Sequence, residues 1–205
     1  MSSIRLTDTS PQQSFTEVLT LAGVKAFLEL PERSPTDAAE DAMLDGFISA
    51  ARDQAELMQG KDLVVKQWDL YQDCFGGHCI ELRHPLVSVD LVQYRDSDGA
   101  YTDMVVADDY ITDLHQSLIL PPYGEAWPSF TAYPTSSILV RFTSGYSASD
   151  VFWSETGKSI KLGMLLLISH WFAGRLPFEL GASAVQEYPF TVTHLLSTGA
   201  RFSIG

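Results

Sequence analysis

The chain has 205 residues, of which 13 are basic and 26 are acidic, and its formal net charge is -13. A length near 200 residues allows one large domain or two small ones, and a hydrophobic content of 45% excludes disorder along the whole chain. A protein that coats duplex DNA needs a basic surface, so the charge argues against that class. Residues 1–20 are mostly polar and unlike a secretory signal, and we expect a soluble protein made in a reducing cytoplasm.

Two helices are predicted in the N-terminal part of the chain. Thr20 is placed as the cap of a short helix that Pro31 ends, and residues 34–37 begin a second helix that reaches about Gln59. Gly60 follows in the position where helices commonly end. The second helix has one apolar stripe, and its opposite face is mostly acidic: Asp41, Asp45, Arg52, Asp53 and Glu56.

Between residues 64 and 145 the pattern changes to alternation interrupted by short turns, which predicts strands. The sequence Asp96-Ser97-Asp98-Gly99 predicts a hairpin that joins residues 91–95 to residues 101–105. A second hairpin is predicted around His115-Gln116, and residues 138–142 are predicted to form the last strand. We therefore expect a β-rich segment of about eighty residues between two helical parts.

A third helix is predicted from about Ser159 to Arg175, with a short helix at residues 192–196 after it. The centre of the third helix, residues 160–168, is apolar on nearly every side, whereas a surface helix needs only one apolar stripe. A small domain offers little core to cover such a helix. We therefore expect a neighbouring subunit to cover part of it.

Two short motifs are compatible with chemistry, and each has a simpler structural interpretation. Gly157-Lys158-Ser159 ends like a phosphate-binding loop, but the glycine that such a loop needs five positions earlier is a phenylalanine. Cys74, His78 and Cys79 are soft ligands, but no second cysteine pair completes a zinc site, and a disulfide between the two cysteines stays open. We predict no catalytic residues, no cofactor and no metal.

Two functions of other classes remain as alternatives. One is a small nucleotide-binding enzyme that uses Gly157-Lys158-Ser159. The other is a β-rich module for carbohydrate recognition, because aromatic side chains in a loop can stack on sugars. The aromatic residues in question lie between residues 123 and 133: Tyr123, Trp127, Phe130 and Tyr133.

Three further segments carry a family resemblance. The first is LTLAGVKAFL at residues 19–28, before the acidic helix. The second is VKQWDL at residues 65–70 with IELRHPLVSV at residues 80–89, and the third is VRFTSGY at residues 140–146, before the apolar helix and its SHWF ending. In this order they resemble the head–tail connector (adaptor, or head-completion) family of long-tailed phages, prophages and gene-transfer particles. Gly23, Gly163 and a basic tail reduced to Arg201 depart from the family pattern.

The resemblance implies an α+β fold of a defined kind. It is a helical bundle, built from two N-terminal helices and a long C-terminal helix, with a β-rich insertion between helices two and three. The expected boundaries are a flexible N-terminal arm at residues 1–18, the bundle at 19–63 and 146–197, the insertion at 64–145 and a tail at 198–205.

The resemblance also implies a non-catalytic virion protein of the particle neck, made in the bacterial cytoplasm. Family members form a ring of about twelve copies beneath the portal protein, extend the DNA exit channel and present a docking face for neck or tail-completion proteins. DNA would pass through the channel without specific binding, and no membrane is involved.

Three sets of residues are hypothesised to carry this role. The apolar third helix would form the contact between subunits through Leu162, Leu165, Leu166, Trp171 and Phe172. The acidic face of the second helix would line the channel and keep DNA phosphates from binding, through Asp41, Asp45, Asp53 and Glu56. Portal docking would use the end of the chain, through Pro189, Phe190, Leu195, Leu196, Phe202 and Ile204.

Overall fold

The computed structural model describes residues 2–6, 16–30, 38–174 and 190–200, with side chains in residues 16–30, 38–174 and 191–200. The chain divides into two compact units. We call the first, Met1–Phe15 and Val64–Tyr146, the sheet unit, and the second, Thr16–Leu63 and Ser147–Gly205, the helical unit. Each is described by itself.

The sheet unit contains two antiparallel sheets. Its strands are β1 (Ser2–Leu6), β2 (Lys66–Gln72), β3 (Ile80–Glu81), β4 (Leu86–Arg95), β5 (Tyr101–Asp103), β6 (Ile111–Asp113), β7 (Leu118–Leu120) and β8 (Ile138–Ser144). One sheet has the order β1-β2-β8-β4-β5, and the other has the order β3-β7-β6. The predicted hairpins are confirmed as the β4–β5 and β6–β7 pairs. Residues 2–6 belong to the segment that was expected to be an arm, and they pair with β2.

The two sheets share an apolar core. Val140 and Phe142 of β8 are fully buried, whereas Arg141 between them points to the opposite face, as the two-residue period of a strand requires. On that face Arg141 lies opposite Asp69 of β2 in the register of the sheet. The core is made of apolar side chains from both sheets and their loops: Leu70, Ile80, Leu82, Leu86, Val92, Met104, Tyr110, Ile119, Ile138, Val140 and Phe142.

The helical unit contains α1 (Leu21–Phe27), α2 (Ala38–Gln59), a 3-10 turn at Val151–Ser154, α3 (Gly157–Gly174) and α4 (Phe190–Ser197). Thr20 caps α1 as predicted, because its Oγ1 accepts a hydrogen bond of 3.1 Å from the Gly23 N–H. The prediction for the end of α2 is also confirmed, since Gly60 follows Gln59 with a φ of 63°.

Helix α4 packs on both α2 and α3. Gly163 makes the close approach possible, because a Cβ at that position would lie 2.8 Å from Cδ2 of Leu196. The buried Gln59 amide at the end of α2 donates to the carbonyls of Leu196 and Thr198, the second at 3.1 Å. Lys61 adds a hydrogen bond of 2.7 Å to the Gly199 carbonyl. These contacts fix the last described turn of the chain.

This architecture corrects the predicted fold class. The chain is α+β, but it is not a helical bundle with a long C-terminal helix. Strands supply most of the packing between elements, and α1 has only seven residues. The long apolar helix is α3, and α4 follows it. The predicted fold class was wrong because it treated the strands as an insertion into a helical bundle. The strands instead enclose an extensive core of their own.

Candidate interaction surfaces

Helix α3 has an inner and an outer apolar face. Its inner face is buried within the helical unit by Ile160, Met164, Leu167 and Ile168. Its outer face carries Leu162, Leu165 and Leu166, which we call the leucine face. Leu162 is 43% exposed, and Leu165 and Leu166 are half-buried. Helix α3 is therefore apolar all round because it has two apolar faces, and the helical unit itself covers only the inner face.

The other two predicted contact residues of α3 lie outside the leucine face. Trp171 packs against Phe47 of α2 with ring centroids 5.9 Å apart, and Phe172 is half-buried. Beside the Phe47–Trp171 pair is an open apolar depression of about 510 Å³, which we call the α2–α3 cleft. Its lining consists of Phe47, Ala50, His170, Trp171 and Gly174. The sequence analysis missed this cleft, because neither helix pattern shows where the other helix stops covering it.

The four acidic residues of α2 are in different environments. Asp45 is exposed, Asp41 forms an ion pair with Lys25 of α1, and Asp53 is exposed beside Arg52. Glu56 is only 6% exposed, and its carboxylate accepts a hydrogen bond of 2.9 Å from the Leu63 N–H. Glu56 therefore holds the chain that leaves α2 and is not included in the acidic surface proposed below.

Arg52 is a buried cation on α2 that the sequence analysis placed on the polar face. Its guanidinium contacts the Glu17 carboxylate and donates to Asp53 Oδ1 at 2.7 Å. Burial disfavours the charge, but the Asp53 hydrogen bond and the carboxylates of Glu17 and Glu56 outweigh burial and raise the pKa of Arg52. The charge of Asp53 is thus partly balanced within the helical unit.

The residues predicted for portal docking are only partly described. Pro189, Phe202 and Ile204 lie outside the described residues, and Phe190 is described only as the first backbone position of α4. Leu195 is half-buried. Leu196 is 1% exposed and packs on Gly163, so it belongs to the interior of the helical unit.

The segment before Gly157 does not have the geometry of a phosphate-binding loop. Residues 151–154 form a 3-10 turn, and the Phe152 N–H donates to Asp150 Oδ1 at 2.8 Å. A Cβ on Gly157 would lie 2.6 Å from a ring atom of Trp153, so this glycine serves helix packing. A phosphate loop instead needs several backbone N–H groups that converge on the ligand.

The aromatic loop of the sheet unit packs on itself and on the core. Trp127 stacks on Phe75 with centroids 4.6 Å apart and planes 4° apart, and Phe130 packs on Phe75 and Tyr94. Tyr133 packs under the Arg95 guanidinium at 3.7 Å, which leaves Tyr123 as the fully exposed ring of the set. This arrangement covers the sheet and does not present a row of rings to a sugar.

Two thiols in the described parts of the chain are candidate metal ligands. Cys74 and Cys79 are free thiols. Among the described residues, no group of three or more histidine, cysteine or acidic side chains could hold a metal ion. Within those same ranges, every helix is too short or too polar to span a bilayer.

Comparison with solved structures identifies the architecture. No protein-family profile matches the chain, and no curated protein matches its sequence. A chain in the neck of an empty gene transfer agent particle, computed with C6 symmetry, matches at a TM-score of 0.67 and 22% identity, over 94% of this chain and 99% of that one. The fold is shared with gene-transfer-agent neck chains. This confirms, at the level of the fold, the resemblance to head–tail connectors that the sequence indicates.

Two further structures show the same fold. A chain of the native gene transfer agent virion matches at a TM-score of 0.68 and 21% identity, over 98% of both chains. A chain of the native neck, computed with C12 symmetry, matches at a TM-score of 0.56 and 22% identity, over 94% of this chain and 99% of that one. The likeness covers both the sheet unit and the helical unit.

Proposed function

We propose that this chain is a structural protein of the neck of a phage or phage-like gene-transfer particle, where it acts as a head–tail adaptor. The fold carries the proposal, since it matches gene-transfer-agent neck chains over nearly the whole of both chains. Those necks were computed with C6 and C12 symmetry, and cyclic symmetry is the symmetry of a ring. A ring of about twelve copies under the portal would extend the DNA exit channel.

The leucine face of α3 is proposed as the main contact between neighbouring copies. Leu162 is 43% exposed and lies beside the half-buried Leu165 and Leu166 on one side of a helix. Full burial of a leucine contributes about 1.5–3 kcal/mol, so three partly exposed leucines supply several kcal/mol when a neighbour covers them. Contacts of that size, repeated around a closed ring, favour assembly.

The acidic surface of α2 is proposed to face the channel. The proposal rests on Asp45, which is exposed, with Asp41 one turn before it as a partly balanced carboxylate. Asp53 is exposed beside Arg52 and lies nearer to the proposed contact between copies. Each copy carries a formal charge of -13. A ring of about twelve copies would carry roughly -150, and such a collar repels DNA phosphates and lets the duplex pass without adhering.

Portal docking is proposed for the chain that follows α4. The contacts of Gln59 and Lys61 with the carbonyls of Thr198 and Gly199 anchor this segment to the helical unit. Phe202 and Ile204 come directly after the anchor and supply apolar side chains. Apolar side chains such as these stabilise a contact when a partner buries them, which suits a docking segment.

The ring is tested by native mass spectrometry of the purified chain and of Leu162→Asp. We expect the wild type to form closed oligomers and Leu162→Asp to remain monomeric, because the substitution places a carboxylate in the contact. Leu114→Asp is the matched control, since Leu114 is 49% exposed and lies in the sheet unit.

The neck role is tested by deleting the gene and imaging the particles. Normally tailed particles would overturn the proposal.

A further inference from the structure

Among the described residues, α4 fills only part of the groove between α2 and α3. The filled part lies at Gly163 of α3 and Gln59 of α2, where Leu196 packs and its carbonyl accepts a hydrogen bond. The α2–α3 cleft is on the same side of α3, about two turns further along the helix. It begins at Ala50 and Phe47 on α2 and at His170 on α3. Within the part of the chain that the structure describes, the cleft therefore continues a groove that already accepts a helix with leucine side chains.

The exposed surface of α3 differs in charge from the rest of the chain. Between residues 157 and 174 there is no acidic side chain, and the charged residues are Lys158 and Lys161. The exposed surface of α2 instead carries Asp45 and, one turn from Ala50, Asp53. Two copies with a net charge of -13 repel each other overall, so a stable contact needs local complementarity. A contact between α3 of one copy and α2 of the next provides this complementarity, because lysines would lie near a carboxylate.

A closed ring requires two different surfaces on every copy, one for each neighbour. The leucine face satisfies this requirement at Leu162 and Leu165, whereas Leu166 lies one turn before His170 and borders the cleft. With 3.6 residues per turn, His170 is displaced around the helix by about 80° from Leu162 and by about 140° from Leu165. One protomer can therefore present its leucine face to one neighbour and its cleft to the other.

We propose that the leucine face of one copy seats in the α2–α3 cleft of the next copy. The inference rests on the proposed ring and specifies the two surfaces that meet in each contact between neighbouring copies. Leu162 and Leu165 would pack against Phe47, Ala50 and Trp171, with the lysines of α3 beside Asp53. A volume of about 510 Å³ accommodates several leucine side chains, and the lining supplies an apolar floor.

The first test substitutes each half of the contact separately. Ala50→Glu places a carboxylate in the cleft, and Leu162→Asp places one on the leucine face. Both positions are exposed, so we expect both variants to keep the wild-type circular dichroism spectrum and to lose rings in native mass spectrometry. Ala100→Glu and Leu114→Asp, at exposed positions of the sheet unit, should keep the rings. Intact rings in Ala50→Glu would overturn the inference, whereas a monomeric wild type would overturn the proposed ring itself.

The second test asks which surfaces meet. In a background with Cys74→Ser and Cys79→Ser, the double variant Ala50→Cys with Leu162→Cys is treated with a short bis-maleimide. We expect a ladder of covalent oligomers on a denaturing gel, because the two thiols of neighbouring copies face each other. Each single variant should give monomers only. Dimers from Leu162→Cys alone would show that two leucine faces meet, and assembled rings without a ladder would show that the cleft is not used. Either result would overturn the inference.

Discussion

A methyl group on Gly163 would lie 2.8 Å from Cδ2 of Leu196, closer than two carbon atoms can approach without one of them moving. Glycine inside a helix costs about 1 kcal/mol relative to alanine, so Gly163 looks unfavourable when only the sequence of α3 is considered. The packing of α4 explains it. The glycine that departs from the family pattern is the place where α3 lets α4 approach.

Gly163→Ala should therefore destabilise the protein despite its better helix propensity. Overpacking of this kind costs about 1–3 kcal/mol, because Leu196 must move away from a site where it is 1% exposed. The measurement is the midpoint of urea unfolding, followed by circular dichroism. The control is Gly46→Ala in α2, where an added Cβ meets nothing within 4 Å, and its helix propensity should raise stability. Equal effects of the two substitutions would contradict the packing argument.

The elements with local signals were predictable from the sequence. Thr20 caps α1, Gly60 ends α2, and Asp96–Gly99 joins β4 to β5, because each feature depends on residues a few positions apart. The finding that the two sheets supply most of the packing between elements was not predictable in this way. Strand β8 pairs with both β2 and β4, and β1 adds at the edge from the start of the chain. Such pairings are non-local, and no single strand pattern shows them.

The candidate surfaces were also predictable only in part. The sequence indicated that α3 has more apolar surface than one unit covers, and the leucine face lies on that surface. It did not indicate the cleft, which needs Phe47 and Trp171 side by side. It also placed Glu56 on an exposed acidic face, since a helical wheel cannot show that the chain after the helix returns Leu63 to that carboxylate.

Gly145 at the end of β8 should tolerate no side chain. Its φ is 116°, and an added Cβ would lie 2.0 Å from the Val64 carbonyl oxygen, which is backbone and cannot rotate away. Gly145→Ala should therefore cost more than about 3 kcal/mol in the free energy of urea unfolding. Gly124→Ala is the control, because Gly124 has a φ of 82° but nothing within 4 Å of the added atom. A cost at Gly145 no greater than that at Gly124 would refute the role of the close approach.

The ion pair between β2 and β8 should contribute to the stability of the sheet unit. Arg141 binds the carboxylate of Asp69 through two hydrogen bonds, of 2.8 and 3.0 Å, and Asp69 is 3% exposed. The Asp69 hydrogen bond raises the pKa of Arg141, which keeps its charge at every working pH. Arg141→Met should cost about 3 kcal/mol in unfolding free energy, since the buried carboxylate loses its cation. The comparison is Asp108→Asn, an exposed carboxylate in a loop of the sheet unit, which should cost less than about 1 kcal/mol.

Removal of the residues after Ala200 should separate portal docking from folding. This truncation deletes Phe202 and Ile204 but keeps the carbonyls of Thr198 and Gly199 that accept from Gln59 and Lys61. We expect the melting temperature and the oligomeric state to stay at wild-type values. Binding to the portal protein of the same particle, measured by calorimetry, should be lost. A shorter chain that ends at Ser197 is the contrasting variant. It loses both anchoring carbonyls, so its melting temperature should fall, which distinguishes a docking defect from a folding defect. Undiminished portal binding by the chain that ends at Ala200 would remove Phe202 and Ile204 from the docking surface.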